Sequence, residues 1–303
     1  MRYAFIGLGH LGGNLAASLI RNGFDVTVYD RDPEAVARLV ALGATAAASP
    51  AEAARRAGNA ITCLPSPKVS EAVLAGPGGL LEGLPKDGIW IEMSTNGRDE
   101  IVRLAGIASE KGAQTLECPV TGGVHLAAVG KITALVGGDK ALYEAHRAAI
   151  EAMCAKSFLM GPIGSAAVIK VITNMLAFIH LVAAGEALML AKRGGLDLAQ
   201  AYHAIVASSG NSFVHETESQ LVLNGSYDIA FTMDLALKDL GFATGMGAEF
   251  GVPLELAGRV QEIFQHGKQA YGGDAWSTMI VKLLEDQVGT DLRAPGFPAK
   301  LTV

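Results

Sequence analysis

Hydrophobic residues follow two different rhythms along this chain. Up to about Gly161 they gather into short runs rich in β-branched and aromatic residues: RYAFIGL (2–8), FDVTVYD (24–30), NAITCLP (59–65), GIWIEMST (88–95), AQTLECPV (113–120), KITALVGGD (131–139) and SFLMG (157–161). Each has the length and residue preference of a β-strand. Between them the apolar spacing turns helical, as in GLGHLGGNLAASLIRNG (7–23), PKVSEAVLAG (67–76) and RDEIVRLAGIASEKG (98–112). Strands alternating with helices predict a doubly wound, mainly parallel α/β sheet.

Past Gly161 no alternating strand pattern remains. The stretches 163–195, 197–210, 231–251 and 253–273 all carry apolar residues at helical spacing and predict a second, all-helical domain. The Gly-Pro-x-Gly break at Gly161–Gly164 places the boundary, giving domains at 1–162 and 163–303. The tail GTDLRAPGFPAKLTV (289–303) reads as irregular.

The first helical stretch, GPIGSAAVIKVITNMLAFIHLVAAGEALMLAKRGG, is nearly apolar enough to cross a membrane. Lys170, Asn174, His180 and Glu186 interrupt it, leaving no apolar run near the roughly 18 residues a span requires. It therefore reads as the core helix of a soluble domain, and a lysine there is costly unless something compensates it. On the residues alone, Lys170 also reads as a helix-end lysine reaching back to water.

The turn after the first strand carries Gly7, Gly9 and Gly12 as GxGxxG, followed by a helix and then a strand ending in Asp30. In that context the motif is a dinucleotide-binding fingerprint of Rossmann type. Gly7 allows the tight turn, Gly9 lets backbone approach a pyrophosphate, Gly12 lets helix and strand pack closely, and the acidic residue meets the adenosine ribose. His10 and Leu11 lie inside the turn and join the cofactor-binding set. Asp30 repels a 2′-phosphate, whereas the adjacent Arg31 is able to hold one, and NAD is favoured over NADP. Ligands of such sheets lie at the carboxyl ends of the strands, which brings in CLPSP (63–67), MSTN (93–96) and CPVTGG (118–123).

Composition narrows the partners. A net charge of −6 gives no basic footprint for nucleic acid. Cys63, Cys118 and Cys154 form neither a disulfide framework nor a metal-ligand spacing, so no metal is expected and a reducing cytoplasm fits. The apolar run behind Met1 is only a strand long, unlike a signal peptide. A long, nearly all-apolar helix in a domain of this size needs extra covering surface, so a homodimer or homotetramer is expected.

Taken in order, FIGLGHLGGNLAASLIRNGFDVTVYDR, CPVTGG with GKITALVGGD, GSAAVIKVITN and LALKDLGFA resemble the β-hydroxyacid dehydrogenases, the family of 3-hydroxyisobutyrate dehydrogenase and tartronate semialdehyde reductase. The resemblance covers nearly the whole chain and implies NAD(P)-dependent oxidation of an alcohol on the carbon β to a carboxylate. It places the catalytic lysine at Lys170 and its asparagine partner at Asn174. It places the substrate anchor at Thr121, Gly122 and Gly123, a second cofactor lysine at Lys238, and the nicotinamide side against Leu64, Pro65 and Thr95. The loop ASSGNSF falls where the family contacts substrate, which makes Asn211 and Ser212 candidates for specificity.

The chemistry of the residues agrees. Removing hydride from an alcohol requires a base for the hydroxyl proton, and a buried lysine near positive charge is depressed toward neutrality. Lys170 and Asn174 are four apart, on one helical face. Thr121 and the glycine amides form a carboxylate cradle. His180 and Glu186 read as satisfied core groups or subunit contacts, His125 as a neighbour of the cradle, Cys118 as a small hydrophobe, and HETESQ (215–220) as a solvated helical face. Glu117-Cys118 stands where many members have Asp-Ala, Thr121 where serine is commoner, and Leu11 where methionine is usual, which leaves the substrate open. Two other functions fit the fold: imine reduction, whose enzymes typically carry another residue at the lysine position, and a non-catalytic scaffold, which would be expected to lose it.

Overall fold

The computed structural model of the chain describes residues 1–301. The first unit contains β1 (Arg2–Ile6), α1 (His10–Arg21), β2 (Asp25–Tyr29), α2 (Pro33–Val40), β3 (Thr45–Ala46), α3 (Pro50–Ala57), β4 (Ala60–Thr62), α4 (Pro67–Ala75), β5 (Ile89–Glu92), α5 (Arg98–Glu110), β6 (Gln114–Glu117), β7 (Val120–Thr121), α6 (Val124–Ala128), β8 (Ile132–Gly137), α7 (Lys140–Met153) and β9 (Cys154–Gly161). The sheet order is β3-β2-β1-β4-β5-β6-β8-β7, with β9 beside β8. Strands β1 to β6 pair in parallel, as the alternating pattern predicts, and β8 runs antiparallel to β6 and β7. One core lies under Tyr3, Phe5, Leu15 and Leu19, another around Trp90, Ile101 and Leu104.

Helices α2, α3, α6 and α7 are additions to the elements expected from periodicity. Short helices rely on caps: Asp32 accepts from the Glu34 N–H and Ser49 from the Glu52 N–H, while the Glu52 carboxylate returns to the Ala48 N–H.

The helical part comprises α8 (Ser165–Arg193), α9 (Leu198–Val206), α10 (Phe213–Asn224), α11 (Met233–Phe250), α12 (Glu255–Tyr271) and α13 (Met279–Val288). Its core gathers Phe178, Leu181, Leu240 and Phe264, the two phenylalanine rings meeting edge to face at 5.4 Å. The chain turns at Gly161 and Gly164, both at positive φ, but packing divides it later, into Met1–Lys170 and a unit from Val171 onward. The reason is Ala167, which is buried with Ile101, Leu104 and Trp90, so the opening turns of α8 belong to the first core.

Helix α8 departs from the expected core helix. Only 33% of its most apolar window is buried within the chain, and Ile172, Leu176 and Leu190 are exposed. By length and composition alone it meets the requirement for a membrane span. HETESQ is not a solvated face either, because His215 and Ser219 are buried and bonded to each other. The tail beyond Gly289 has no helix or strand among the described residues, yet Leu292 and Arg293 both bond the buried Glu285 carboxylate; Thr302 and Val303 lie outside the described residues.

Candidate active site

The glycine turn is built as the fingerprint requires. Gly7 has φ +93°, and a Cβ there would lie 2.3 Å from the Cys63 carbonyl oxygen; one at Gly12 would lie 2.0 Å from the Gly7 oxygen. A Cβ at Gly9 would meet no atom within 4 Å, so the space beside it is open. Helix α1 begins there with no side-chain cap and no acidic residue in its first turn, leaving its N–H groups to face an anion. Asp30 has a second role beyond the ribose expectation: Oδ2 accepts the Leu8 N–H at 2.6 Å and Oδ1 the Asp32 N–H at 2.9 Å, so the carboxylate fastens the turn. His10 and Arg31 are exposed, and the half-buried Leu11 packs on the core.

At the strand ends the register aligns Ile6, Thr62, Glu92, Glu117 and Gly137 in one row. Two buried carboxylates therefore stand side by side. Burial pushes Glu92 up against the hydrogen bond from the Ser94 N–H. Ser94 Oγ accepts the Leu64 N–H at 2.7 Å, which holds Leu64 beside Gly7, while Pro65 is exposed and Thr95 half-buried. Asn96 is buried with both amide atoms lacking a hydrogen-bond partner among the described residues, and sequence reading missed it. An open cradle at Gly9, an uncapped helix and an orphaned amide at the next strand end fit a dinucleotide lying across these strands.

Beyond β6 the cradle takes shape. Gly122 and Gly123 have φ +124° and +91°, conformations that L side chains rarely adopt, and the His125 ring lies 3.1 Å from where a Gly123 Cβ would be. Burial lowers the His125 imidazole from its ordinary value. Lys170 is buried on α8. Its charge is felt at Cys63, whose thiol burial and Glu92 push up to about 12 while Lys170 pulls it down. Glu117 Oε1 accepts the Ala166 N–H at 2.7 Å and Oε2 the Ala167 N–H at 3.3 Å, so β6 caps the lysine's helix.

In the helical unit, Asn174 donates to Asp239 Oδ2 at 2.6 Å and Lys238 Nζ to Oδ1 at 2.7 Å. The structure thus joins two predicted residues through a buried carboxylate that sequence reading passed over, although it adjoins Lys238. Lys238 also lies over the Phe242 ring, 4.9 Å from its centroid. Asn211 and Ser212 lie at the start of α10. They cap and brace α10, with Ser212 Oγ accepting the His215 N–H and Asn211 Nδ2 donating to Glu216. They line a cavity of about 350 Å³ with His180, Ser209 and His215. That cavity's nearest α8 residue, His180, is six residues past Asn174, about 9 Å along the axis.

Comparison with known proteins agrees with this layout. Residues 2–161 match the model described as the NAD binding domain of 6-phosphogluconate dehydrogenase, and 164–284 that described as NAD-binding of NADP-dependent 3-hydroxyisobutyrate dehydrogenase. The chain belongs to the β-hydroxyacid dehydrogenase family. Among its relatives, 2-(hydroxymethyl)glutarate dehydrogenase of Eubacterium barkeri is 29% identical over 96% of this chain and 97% of its own. L-threonate dehydrogenase of Cupriavidus necator is 30% identical over 92% and 94%. The structure of Mycobacterium tuberculosis 3-hydroxyisobutyrate dehydrogenase with L-serine superposes with a TM-score of 0.83 at 27% identity, covering 93% of this chain and 98% of that one.

Members of this family are oxidoreductases that bind NAD(P). Two buried groups at the strand ends were given no role in the sequence reading, Asn96 after β5 and Glu117 on β6. Asn96 had only its place in MSTN as a signal, and Glu117 only its place where many members have an aspartate, because the amides it binds are 49 and 50 residues away.

Proposed function

We propose that the protein interconverts a small β-hydroxyacid of about three to five carbons, of the 3-hydroxyisobutyrate kind, with its semialdehyde or oxo acid, using NAD in preference to NADP. The observation that carries this reading is Lys170, a lysine only 8% exposed whose charge acts on Cys63 at the end of β4. When bound, the nicotinamide takes the hydride from the hydroxyl-bearing carbon or returns it. Gly7, Gly9 and Gly12 with the N-terminus of α1 hold the pyrophosphate, Asp30 the ribose, and Leu64, Pro65 and Thr95 the nicotinamide side. Thr121 and the amides of Gly122 and Gly123 hold the substrate carboxylate. Lys170 Nζ takes the hydroxyl proton on oxidation and gives it back on reduction, and Asn174 orients the same oxygen. The uncovered apolar surface of α8 supports assembly into a homodimer or homotetramer.

The test follows absorbance of the reduced nicotinamide with NAD and NADP in parallel, over C3 to C6 β-hydroxyacids and, in reverse, their semialdehydes. One short acid turning over with NAD is expected. Lys170→Ala is expected to keep NADH binding and lose about a thousandfold in kcat. Retained turnover in that variant overturns the proton-transfer role, and silence across the panel with demonstrable cofactor binding overturns the substrate class.

A further inference from the structure

We infer that Glu117 is a positioning residue for the lysine step: from the end of β6 its carboxylate holds the first turn of α8 and thereby sets where that helix carries Lys170. The inference rests on the role proposed for Lys170 above. Glu117 is 1% exposed, and its oxygens accept the Ala166 and Ala167 N–H groups, with Gly164 contributing a third amide. Ala166 is one helical turn before Lys170. Helix α8 has no acidic residue in its own first turn, so the anion that its N-terminus favours arrives from the sheet.

The seat for this carboxylate is built on purpose. Gly137 is its register partner on β8, and a Cβ there would lie 2.1 Å from Glu117 Oε1. Gly137 is not among the positive-φ glycines, so its backbone does not demand glycine; the space for Glu117 does. Four residues after Glu117 comes Thr121 of the cradle. One side chain therefore ties the strand leading to the carboxylate cradle to the helix of the lysine, and their spacing is what proton transfer to a held substrate depends on.

The ionisable groups around Glu117 are Glu92 on β5, Cys118 next to it, Arg98 of α5, whose Nε is 3.9 Å from the Gly164 Cβ position, and Lys170 further along α8. From β8, Gly137 stands opposite it in the register. Burial outweighs the pull of the amides and holds the carboxyl up to about 7. Protonation removes the charge and leaves one good acceptor oxygen, which loosens the cap. In the reducing direction Lys170 acts as the ammonium that donates the proton. Glu92 beside it and His125 at the cradle also titrate away from their ordinary values, so the part of an acid limb that belongs to Glu117 is the part that Glu117→Gln removes.

The experiment compares the full-length wild type with Glu117→Gln and Gly137→Ala. It reads hydrogen exchange at pH 8 in the peptide spanning 162–171, NADH affinity, and the pH profile of kcat for reduction of the oxo acid found in the panel above. Expected are about tenfold faster exchange in both variants, unchanged NADH affinity, kcat down about tenfold, and an acid limb in the wild type that Glu117→Gln lacks. Unchanged exchange overturns the cap. Faster exchange with kcat and pH profile intact, beside an inactive Lys170→Ala, overturns the positioning role. If Lys170→Ala stays active, the reading of the lysine fails and the inference falls with it, while the exchange result still reports the cap.

Discussion

Helices α1 and α8 begin in similar ways and end up with opposite occupants. Each starts beside a glycine, Gly9 or Gly164, and neither has an acidic residue in its first turn. Both therefore present unsatisfied N–H groups and a partial positive charge. At α1 no side chain fills that position, and the space at Gly9 is open. At α8 the buried Glu117 carboxyl group fills it. The same local physics leaves one helix start open and lets a side chain from the sheet fill the other. The choice is made by residues far away in sequence, Glu117 and Gly137, rather than by the helices themselves.

The comparison breaks most severely at the glycines that make α1 close enough to the sheet. Gly12→Ala would set a methyl 2.0 Å from the Gly7 carbonyl oxygen, and neither backbone segment yields easily. A loss of about 3 kcal/mol or more is expected in denaturant melts, together with cofactor binding. Gly9→Ala has open space and is expected to melt like the wild type while binding NADH at least tenfold more weakly by fluorescence titration. If Gly9→Ala binds normally, the open position at α1 is not where the pyrophosphate lies.

The fixed anion at α8 should be visible in stability against pH. Burial raises Glu117 from 4.5 to about 7, so between those values the unfolded chain has lost the proton and the folded chain retains it. The folded state then binds more protons, and stability falls as pH rises through that window. Relative to Glu117→Gln, the wild type is expected to lose up to about 3 kcal/mol between pH 4.5 and 7.5, measured by urea melts at each pH. A constant difference between the two proteins would show that Glu117 titrates normally.

How far the sequence was legible follows from the range of the interactions. The α1 turn announces itself because three glycines, the strand before and Asp30 after all fall within one βαβ unit, so the doubly wound sheet was readable. Helix α7 was equally available, with Tyr143, His146, Ile150 and Met153 on one buried face, and Ser49 to Glu52 spells a capping box, yet both sit between strands whose signal is stronger. Lys170 stood out as a charge in an apolar run, but only the family resemblance gave it a partner. Glu117, Asn96 and Asp239 were not legible as site residues. Their importance lies in tertiary contacts, an amide pair 49 and 50 residues away, an absent partner and an asparagine 65 residues away, which no local pattern encodes. The apolar rhythm of α8 misled in the other direction, because period alone does not say whether the covering surface lies in the same chain.

Asp239 offers a smaller perturbation in the helical unit. It accepts from Asn174 and Lys238 with one oxygen each, and Asn in its place keeps the shape but offers only one acceptor. Asp239→Asn is expected to cost about 1–2 kcal/mol in a thermal or urea melt, because two half-buried donors lose a charged acceptor that is itself buried. An unchanged melt would mean that the two donors find other partners.

The smallest expected effect sharpens the picture at α1. Asp30 spends both oxygens on the turn, accepting the Leu8 and Asp32 N–H groups, and its charge also stands where a 2′-phosphate of NADP would fall. Asp30→Asn removes the charge and sets an amide NH₂ against one of those N–H groups, so two consequences separate. A loosened turn weakens NAD and NADP alike, whereas lost repulsion changes only their ratio. With Arg31 retained beside it, the ratio of NAD to NADP affinity is expected to fall about tenfold, or 1.4 kcal/mol. Equal weakening of both cofactors with the ratio unmoved would make Asp30 a brace for the glycine turn alone, and cofactor choice would then have to be sought at the exposed Arg31.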